Sequence, residues 1–201
     1  METYNLSTIT KKIYYSGLTL FTLKVLTDIL ETRKENTTFN VIKRLIESGV
    51  IEKIERNKYI LSDKKSSDFS LSHFLYKPSY ISFETALNFH GILSQFPYEI
   101  TAATPRKTKK KEIKGKIFSY VHIKKDLFWG YEKREDYFIA SPEKALLDQL
   151  YFESKGLKKT DIDEYDFSFI SITQFKTYVK KYPQTVQWKK IINGVSRYIL
   201  L

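Results

Sequence analysis

The chain has 201 residues and a formal net charge of +11, from 34 Lys and Arg against 23 Asp and Glu. Hydrophobic residues make up 42% of it, which is enough apolar surface for a packed core and excludes disorder throughout. The absence of Cys excludes disulfides, thiolate metal sites and a Cys nucleophile. The basic excess favours a polyanionic partner, but a lysine-rich genome explains the same charge without any function.

The N-terminus has no basic stretch followed by an apolar run, so we predict no signal peptide. The longest apolar runs are a few residues long, much shorter than a membrane span requires. We therefore expect a cytoplasmic protein that does not contact a membrane.

Residues 1–62 show the pattern of three short helices followed by a hairpin. Apolar residues at helical spacing predict a first helix that ends at Gly17, and Thr22 is suited to cap the second. The third helix is predicted to begin near Thr37 and to stop before Gly49. Its predicted inward residues are Phe39, Ile42, Leu45 and Ile46.

Two β-like runs, 50–55 and 58–61, follow the third helix and are joined by Arg56 and Asn57. This order predicts a winged helix-turn-helix, in which the third helix enters the major groove of double-stranded DNA and the hairpin contacts its backbone. Asn can pair with adenine and Arg with guanine. The residues expected to contact DNA are Thr37, Thr38, Asn40, Lys43, Arg44, Arg56, Asn57 and Lys58.

The charge of residues 1–62 leaves an alternative open. Ten Lys and Arg stand against seven Asp and Glu, so this part of the chain attracts polyanions only weakly. A winged helix that contacts another protein fits the same pattern.

A polar linker is predicted at residues 63–68, followed by a second domain at 69–201. Ser82 is suited to cap a helix that Gly91 closes, and strands are predicted at 98–104, 116–123, 127–131 and 137–140. Ser141-Pro142-Glu143 predicts the start of a buried helix, and two further helices are expected near 172–181 and 186–199. The whole chain is therefore expected to have an α+β fold.

A basic loop is predicted between the strands 98–104 and 116–123. Residues 106–116 hold seven cations against Glu112 alone. Such a run contacts phosphates or an acidic protein surface, and a solvated loop without a partner explains it equally well. The second basic patch consists of Arg106, Lys107, Lys109, Lys110 and Lys111.

The sequence shows no pattern typical of a catalytic or metal site. Its three histidines are far apart, and the acidic run 161–166 lacks the Gly and Glu of a calcium loop. Glu143, Lys144 and Asp148 are explained by helix capping and surface pairing. We expect neither enzymatic activity nor a cofactor or metal.

Several ordered segments of the second domain carry a family resemblance. They are Lys77–Ser82, Ala86-Leu87, His90-Gly91, Ile100–Thr104, Phe128–Tyr131 and Ile139–Asp148. Across about half the chain, and with a winged helix before them, they resemble the AbiEi-type antitoxins of abortive-infection, type IV toxin–antitoxin systems. The match is less clear after about residue 152.

This resemblance implies a phage-defence protein that represses its own operon by binding inverted repeats in the promoter. It also implies an antitoxin that counteracts a nucleotidyltransferase-like toxin without a stable complex, and it carries over no catalytic residue. One alternative is a transcription regulator whose second domain senses a ligand or oligomerises, which predicts an apolar pocket in 69–201. Another is a metal-dependent nuclease, which needs several converging carboxylates.

Overall fold

The computed structural model describes residues 5–32 and 34–199 and shows a mixed α+β chain. The chain divides into two compact units, with the boundary between Ser67 and Asp68. Within the described residues, no helix combines the length and apolar character needed to cross a membrane.

The first unit contains three helices and a small antiparallel sheet. The helices are α1 (Leu6–Tyr15), α2 (Leu23–Leu30) and α3 (Glu35–Glu47), and the strands are β1 (Leu20–Thr22), β2 (Ile51–Glu55) and β3 (Lys58–Leu61). The strand order is β1-β3-β2, and the chain order is α1-β1-α2-α3-β2-β3. The three helices and the hairpin agree with the prediction, whereas β1 is too short to show an alternating pattern.

The predicted cap of the second helix is confirmed, because the Thr22 side chain accepts a hydrogen bond from the Val25 backbone N–H. The predicted linker is partly wrong. The Tyr14 hydroxyl donates to Asp63 at 2.7 Å, and the hydroxyls of Thr19 and Ser66 lie 2.8 Å apart. These contacts attach the polar segment to the first unit, and the last predicted linker residue, 68, already begins a helix.

The second unit is built around one six-stranded sheet. Its strands are β4 (Tyr80–Ile81), β5 (Ile100–Thr104), β6 (Lys109–Ile113), β7 (Lys116–His122), β8 (Tyr131–Arg134) and β9 (Tyr137–Ala140), in the order β6-β7-β5-β4-β9-β8. Its helices are α4 (Asp68–Leu75), α5 (Phe83–Phe89), α6 (Pro142–Glu153), α7 (Ile172–Val179) and α8 (Val186–Ile199). The pairs β5–β7 and β4–β9 are parallel and the other neighbours are antiparallel.

Helices cover both faces of this sheet. Tyr80 pairs with Ala103 and Tyr120 pairs with Ala102, so the two tyrosines point to opposite faces because successive residues of a strand alternate. The Tyr120 hydroxyl donates to a backbone carbonyl of α4 at 2.7 Å. The Tyr80 hydroxyl donates to a carboxylate of α6 at 2.9 Å. The strand β4 therefore lies in a central layer between α4 and α6.

Helix α6 is the central helix of the second unit, and every residue from Glu143 to Phe152 is buried. Its predicted start is confirmed, because the Ser141 side chain accepts a hydrogen bond from the Lys144 backbone N–H. Helices α5, α7 and α8 pack against it. The predicted helices near 172–181 and 186–199 are present as α7 and α8.

Three predictions for the second unit need correction. The segment 127–131, predicted as a strand, contains the end of a 3-10 turn at Lys125–Leu127 and only the first residue of β8. Helix α4 is missing from the sequence prediction. The basic loop is largely the edge strand β6, because pairing with β7 imposes an extended backbone on a lysine run that has low strand propensity of its own.

Candidate functional site

Helix α3 buries one stripe and leaves its polar face in water. The buried stripe has the spacing i, i+3, i+4, i+7 and consists of Thr38, Val41, Ile42 and Leu45. Three of the predicted DNA-contacting residues, Asn40, Lys43 and Arg44, are exposed on the opposite side. Their amide, ammonium and guanidinium groups are suited to bind base edges and phosphates.

The predicted register of α3 is wrong at three positions. Thr38 was expected on the outward face but is buried, and its hydroxyl pairs with that of Thr32 and donates to the Lys34 carbonyl at 3.2 Å. Phe39 and Ile46 were expected inward but are 42% and 36% exposed. A hydrogen-bonded threonine substitutes for an apolar residue in the stripe, which an apolar spacing pattern alone does not reveal.

The turn between β2 and β3 consists of Arg56 and Asn57, as predicted. Asn57 has a φ of 60°, the left-handed conformation that Asn tolerates, and both residues are exposed. Lys58 forms an ion pair with Glu55 at 2.9 Å. The exposed Arg56 has no carboxylate partner among the residues that the structure describes.

Two lysines of the predicted basic patch region are neutralised by carboxylates. Lys110 pairs with Glu99 at 2.9 Å, and Lys116, which begins β7, pairs with Asp68 at 2.6 Å. The basic run therefore carries less uncompensated charge than its composition suggests.

Three other cations of this region lie around Tyr76. The Arg106 guanidinium lies 4.4 Å from the centre of the Tyr76 ring, and the ammonium groups of Lys109 and Lys111 lie 5.8 and 5.7 Å from it. A cleft of about 620 Å³ opens here, and we call it the Tyr76 cleft. Its lining residues are Tyr76, Pro105, Arg106, Lys107, Thr108 and His122. Sequence reasoning found the cations but missed Tyr76 and His122, which are distant in the chain.

A buried ion pair lies at the centre of the second unit. Lys144 and Asp148, one turn apart on α6, have no exposed side-chain surface and are directly hydrogen-bonded. The Tyr80 and Ser82 hydroxyls donate to one carboxylate oxygen at 2.9 and 2.8 Å, and the Tyr182 hydroxyl donates to the other at 2.8 Å. The prediction of surface pairing for this cluster is therefore wrong.

The same centre explains two other features of the sequence. Ser82 stands at the start of α5 as predicted, but its hydroxyl donates to Asp148 and makes no cap hydrogen bond to the helix. A Cβ on Gly130 would lie 3.0 Å from the Lys144 side chain, and Gly130 also has a φ of +74°. Both constraints exclude a larger residue at position 130 without rearrangement.

Burial dominates the ionisation of this centre. It lowers the pKa of Lys144, and the attraction of Asp148 offsets only part of that effect. It raises the pKa values of Tyr80 and Tyr182 well above their usual range, and the negative charge of Asp148 raises them further. The hydrogen bonds of Asp148 in this buried centre connect α6 to β4, to the start of α5 and to the segment after α7.

The histidines do not converge. A ring nitrogen of each lies within hydrogen-bond distance of a backbone carbonyl: His73 and Ser79 at 3.1 Å, His90 and Ala140 at 2.8 Å, and His122 and Arg106 at 2.9 Å. In the described part of the chain, no group of three or more His, Asp or Glu side chains is arranged to hold a metal ion.

A comparison of the chain with known protein families and with curated proteins finds no match. Three of the six segments quoted from the second domain come together in space. Tyr80 and Ser82, Gly130, and Lys144 and Asp148 belong to three separate segments and all contact the buried ion pair or its side chains. These segments therefore share a structural role in the core of the second unit.

Proposed function

We propose that the chain is a DNA-binding regulator whose first unit is a winged helix-turn-helix. The observation that carries this proposal is the order α1-β1-α2-α3-β2-β3, with a sheet in the order β1-β3-β2 and an exposed polar face on α3. In this fold such a face reads base edges in the major groove, and a two-residue hairpin turn contacts the adjacent backbone.

Three residues are assigned to the reading of DNA. From α3, Asn40 and Arg44 pair with bases or phosphates. From the turn between β2 and β3, Arg56 contacts the DNA backbone. Thr38 is removed from the predicted set because it is buried. Lys43 and Lys58 contribute less, since each lies beside a carboxylate, Glu47 at 3.7 Å and Glu55 at 2.9 Å.

We further propose that the second unit acts as the antitoxin of a type IV toxin–antitoxin system, against a nucleotidyltransferase-like toxin encoded beside it. This part rests on the ordered motifs of residues 77–148. Their meeting at one buried centre supports the view that they define a single domain.

Binding to the DNA upstream of the gene tests the regulator proposal. We expect the protein to prefer this DNA to a scrambled duplex, and the Asn40→Ala/Arg44→Ala variant to lose about tenfold or more of that specific affinity. Lys11→Ala on α1 is the matched control, because Lys11 is exposed but lies outside the proposed interface. Equal affinity for both duplexes at two salt concentrations would rule out autoregulation.

Growth rescue tests the antitoxin proposal separately. The full chain and the Asn40→Ala/Arg44→Ala variant are each expressed from an unrelated promoter together with the neighbouring gene product. We expect both to restore growth, because the antitoxin role is assigned to the second unit. Failure of both proteins to rescue growth contradicts the antitoxin role and leaves the DNA-binding proposal intact.

A further inference from the structure

We propose that the Tyr76 cleft binds the phosphate group of a small phosphorylated molecule, through Arg106, Lys107 and Lys109. This site lies wholly in the second unit, and it stands whether or not the first unit binds DNA. Three properties support it: fixed donors, unpaired charge and a concave shape.

The main donor at the cleft, the Arg106 guanidinium, is held in place by the protein itself. The Arg106 guanidinium stacks on Tyr76 and donates to the Lys77 carbonyl at 2.9 Å, and the Tyr76 hydroxyl donates to the Lys107 carbonyl at 3.0 Å. A guanidinium has five N–H donors, and among the described residues only one of those of Arg106 is used. A phosphate therefore meets an ordered fork, which lowers the entropic cost of binding.

The backbone around the cleft is also tied down. The backbone N–H of Arg106 donates to the Thr104 hydroxyl at 3.2 Å, and the backbone N–H of His122 donates to the Thr108 hydroxyl at 3.1 Å. Thr108 accepts in that contact, so its own hydroxyl hydrogen remains available to donate to an anion.

Two lysines of the basic run, Lys107 and Lys109, carry uncompensated charge beside this cleft. Lys107 and Lys109 form no ion pair with any carboxylate that the structure describes, whereas Lys110 and Lys116 are paired. Residues alternate along β6, so Lys109 lies on the Tyr76 side of the strand and Lys110 on the opposite face with Glu99. The positive charges of Lys107 and Lys109 therefore attract an anion to the Tyr76 cleft and not to the whole of β6.

The shape favours a small ligand over a nucleic-acid strand. A volume of about 620 Å³ lies within the usual range for small-molecule sites. A nucleic-acid backbone follows an extended positively charged groove, whereas the cations at this cleft are grouped around the single ring of Tyr76. Lysines on an edge strand can also serve only to prevent that strand from pairing with another chain. That role does not explain why Lys107 and Lys109 are unpaired while Lys110 and Lys116 form ion pairs.

Calorimetric titration of the full chain with pyrophosphate, with ATP and with a single-stranded oligonucleotide tests the proposal. We expect pyrophosphate or ATP to bind, and Lys107→Gln/Lys109→Gln to weaken binding by at least about tenfold. The matched control is Lys110→Gln/Lys116→Gln, which also removes two positive charges and should change the affinity by less than about threefold.

Three results would overturn the proposal. Equal weakening by both double variants would show that bulk charge alone attracts the anion. Absence of binding for both small phosphates up to about 10 mM would exclude a specific site. Binding of the oligonucleotide alone, with a steep dependence on salt, would assign the cleft to a nucleic-acid backbone. Thermal unfolding of each variant beside the unmodified chain shows whether it is folded.

Discussion

Two lysine–carboxylate pairs with the same helical spacing have opposite environments in this protein. Lys43 and Glu47 on α3 lie 3.7 Å apart with 74% and 61% of their side chains exposed. Lys144 and Asp148 on α6 are fully buried. Water screens the first pair, so it adds little to stability, whereas the second is enclosed by hydroxyls and serves the packing of the domain. Spacing along a helix therefore does not distinguish a surface pair from a core pair.

The largest expected effect comes from breaking the buried pair. Asp148→Ala leaves Lys144 without its carboxylate and is expected to lower the free energy of unfolding by about 3–5 kcal/mol. Glu47→Ala removes the matching acid of the exposed pair and should cost less than about 0.5 kcal/mol. Urea denaturation of both variants provides the measurement. Similar values for the two variants would contradict the comparison.

The packing of Gly130 against Lys144 provides a second test. Gly130→Ala is expected to lower the free energy of unfolding by about 1–3 kcal/mol more than Gly115→Ala. Both glycines have a positive φ, +74° and +73°, so the backbone strain of the two substitutions is the same. Only the Cβ at position 130 meets another side chain, at 3.0 Å, whereas that at 115 meets nothing within 4 Å. Equal losses in chemical denaturation would show that this contact is unimportant.

A half-buried tyrosine, Tyr165, extends the comparison to alkaline pH. Burial, with the nearby negative charge of Glu84 as the next cause, raises the pKa of Tyr165 above its ordinary value of 10.0. Above about pH 10 the unfolded chain loses this proton while the folded chain retains it, so stability falls as the pH rises.

Tyr165→Phe removes that proton from both states. Between about pH 9 and pH 11 we expect the unmodified chain to lose about 1 kcal/mol more stability than this variant. Tyr15→Phe is the control, because Tyr15 is 77% exposed. Denaturation curves at the two pH values decide the matter, and parallel losses in all three proteins would exclude a contribution from Tyr165.

The smallest expected effect concerns Thr38 on α3. Thr38→Val removes a buried hydroxyl that pairs with Thr32, and it should cost about 1 kcal/mol of stability without changing DNA affinity. Thr37→Val changes the neighbouring, half-buried hydroxyl and should have little effect on stability. A loss of DNA affinity in Thr38→Val without a loss of stability would return Thr38 to the proposed interface.

Local sequence signals predicted many elements of both units. Thr22 and Ser141 cap their helices, and Asn57 takes the left-handed turn, because these effects depend on residues within a few positions of one another. The burial of α6 was also predicted, since a helix surrounded by other elements is apolar over much of its surface.

Residues that depend on partners far along the chain were the ones misplaced. Lys144 and Asp148 were expected at the surface but are buried, because hydroxyl groups 34 to 68 positions away enclose the Asp148 carboxylate. The Tyr76 cleft joins residue 76 to residues 105–108 and 122, which no spacing rule connects.

The sequence by itself determined the α+β class, the caps and turns, the order of helices and hairpin in the first unit, and a basic segment in the second. Only the tertiary structure decided which charges are buried, which are neutralised and which remain available. The physical reason is that caps and turns arise from contacts between near neighbours. The environment of a charge is set by every segment packed around it, such as the two that bring Tyr80, Ser82 and Tyr182 to Asp148.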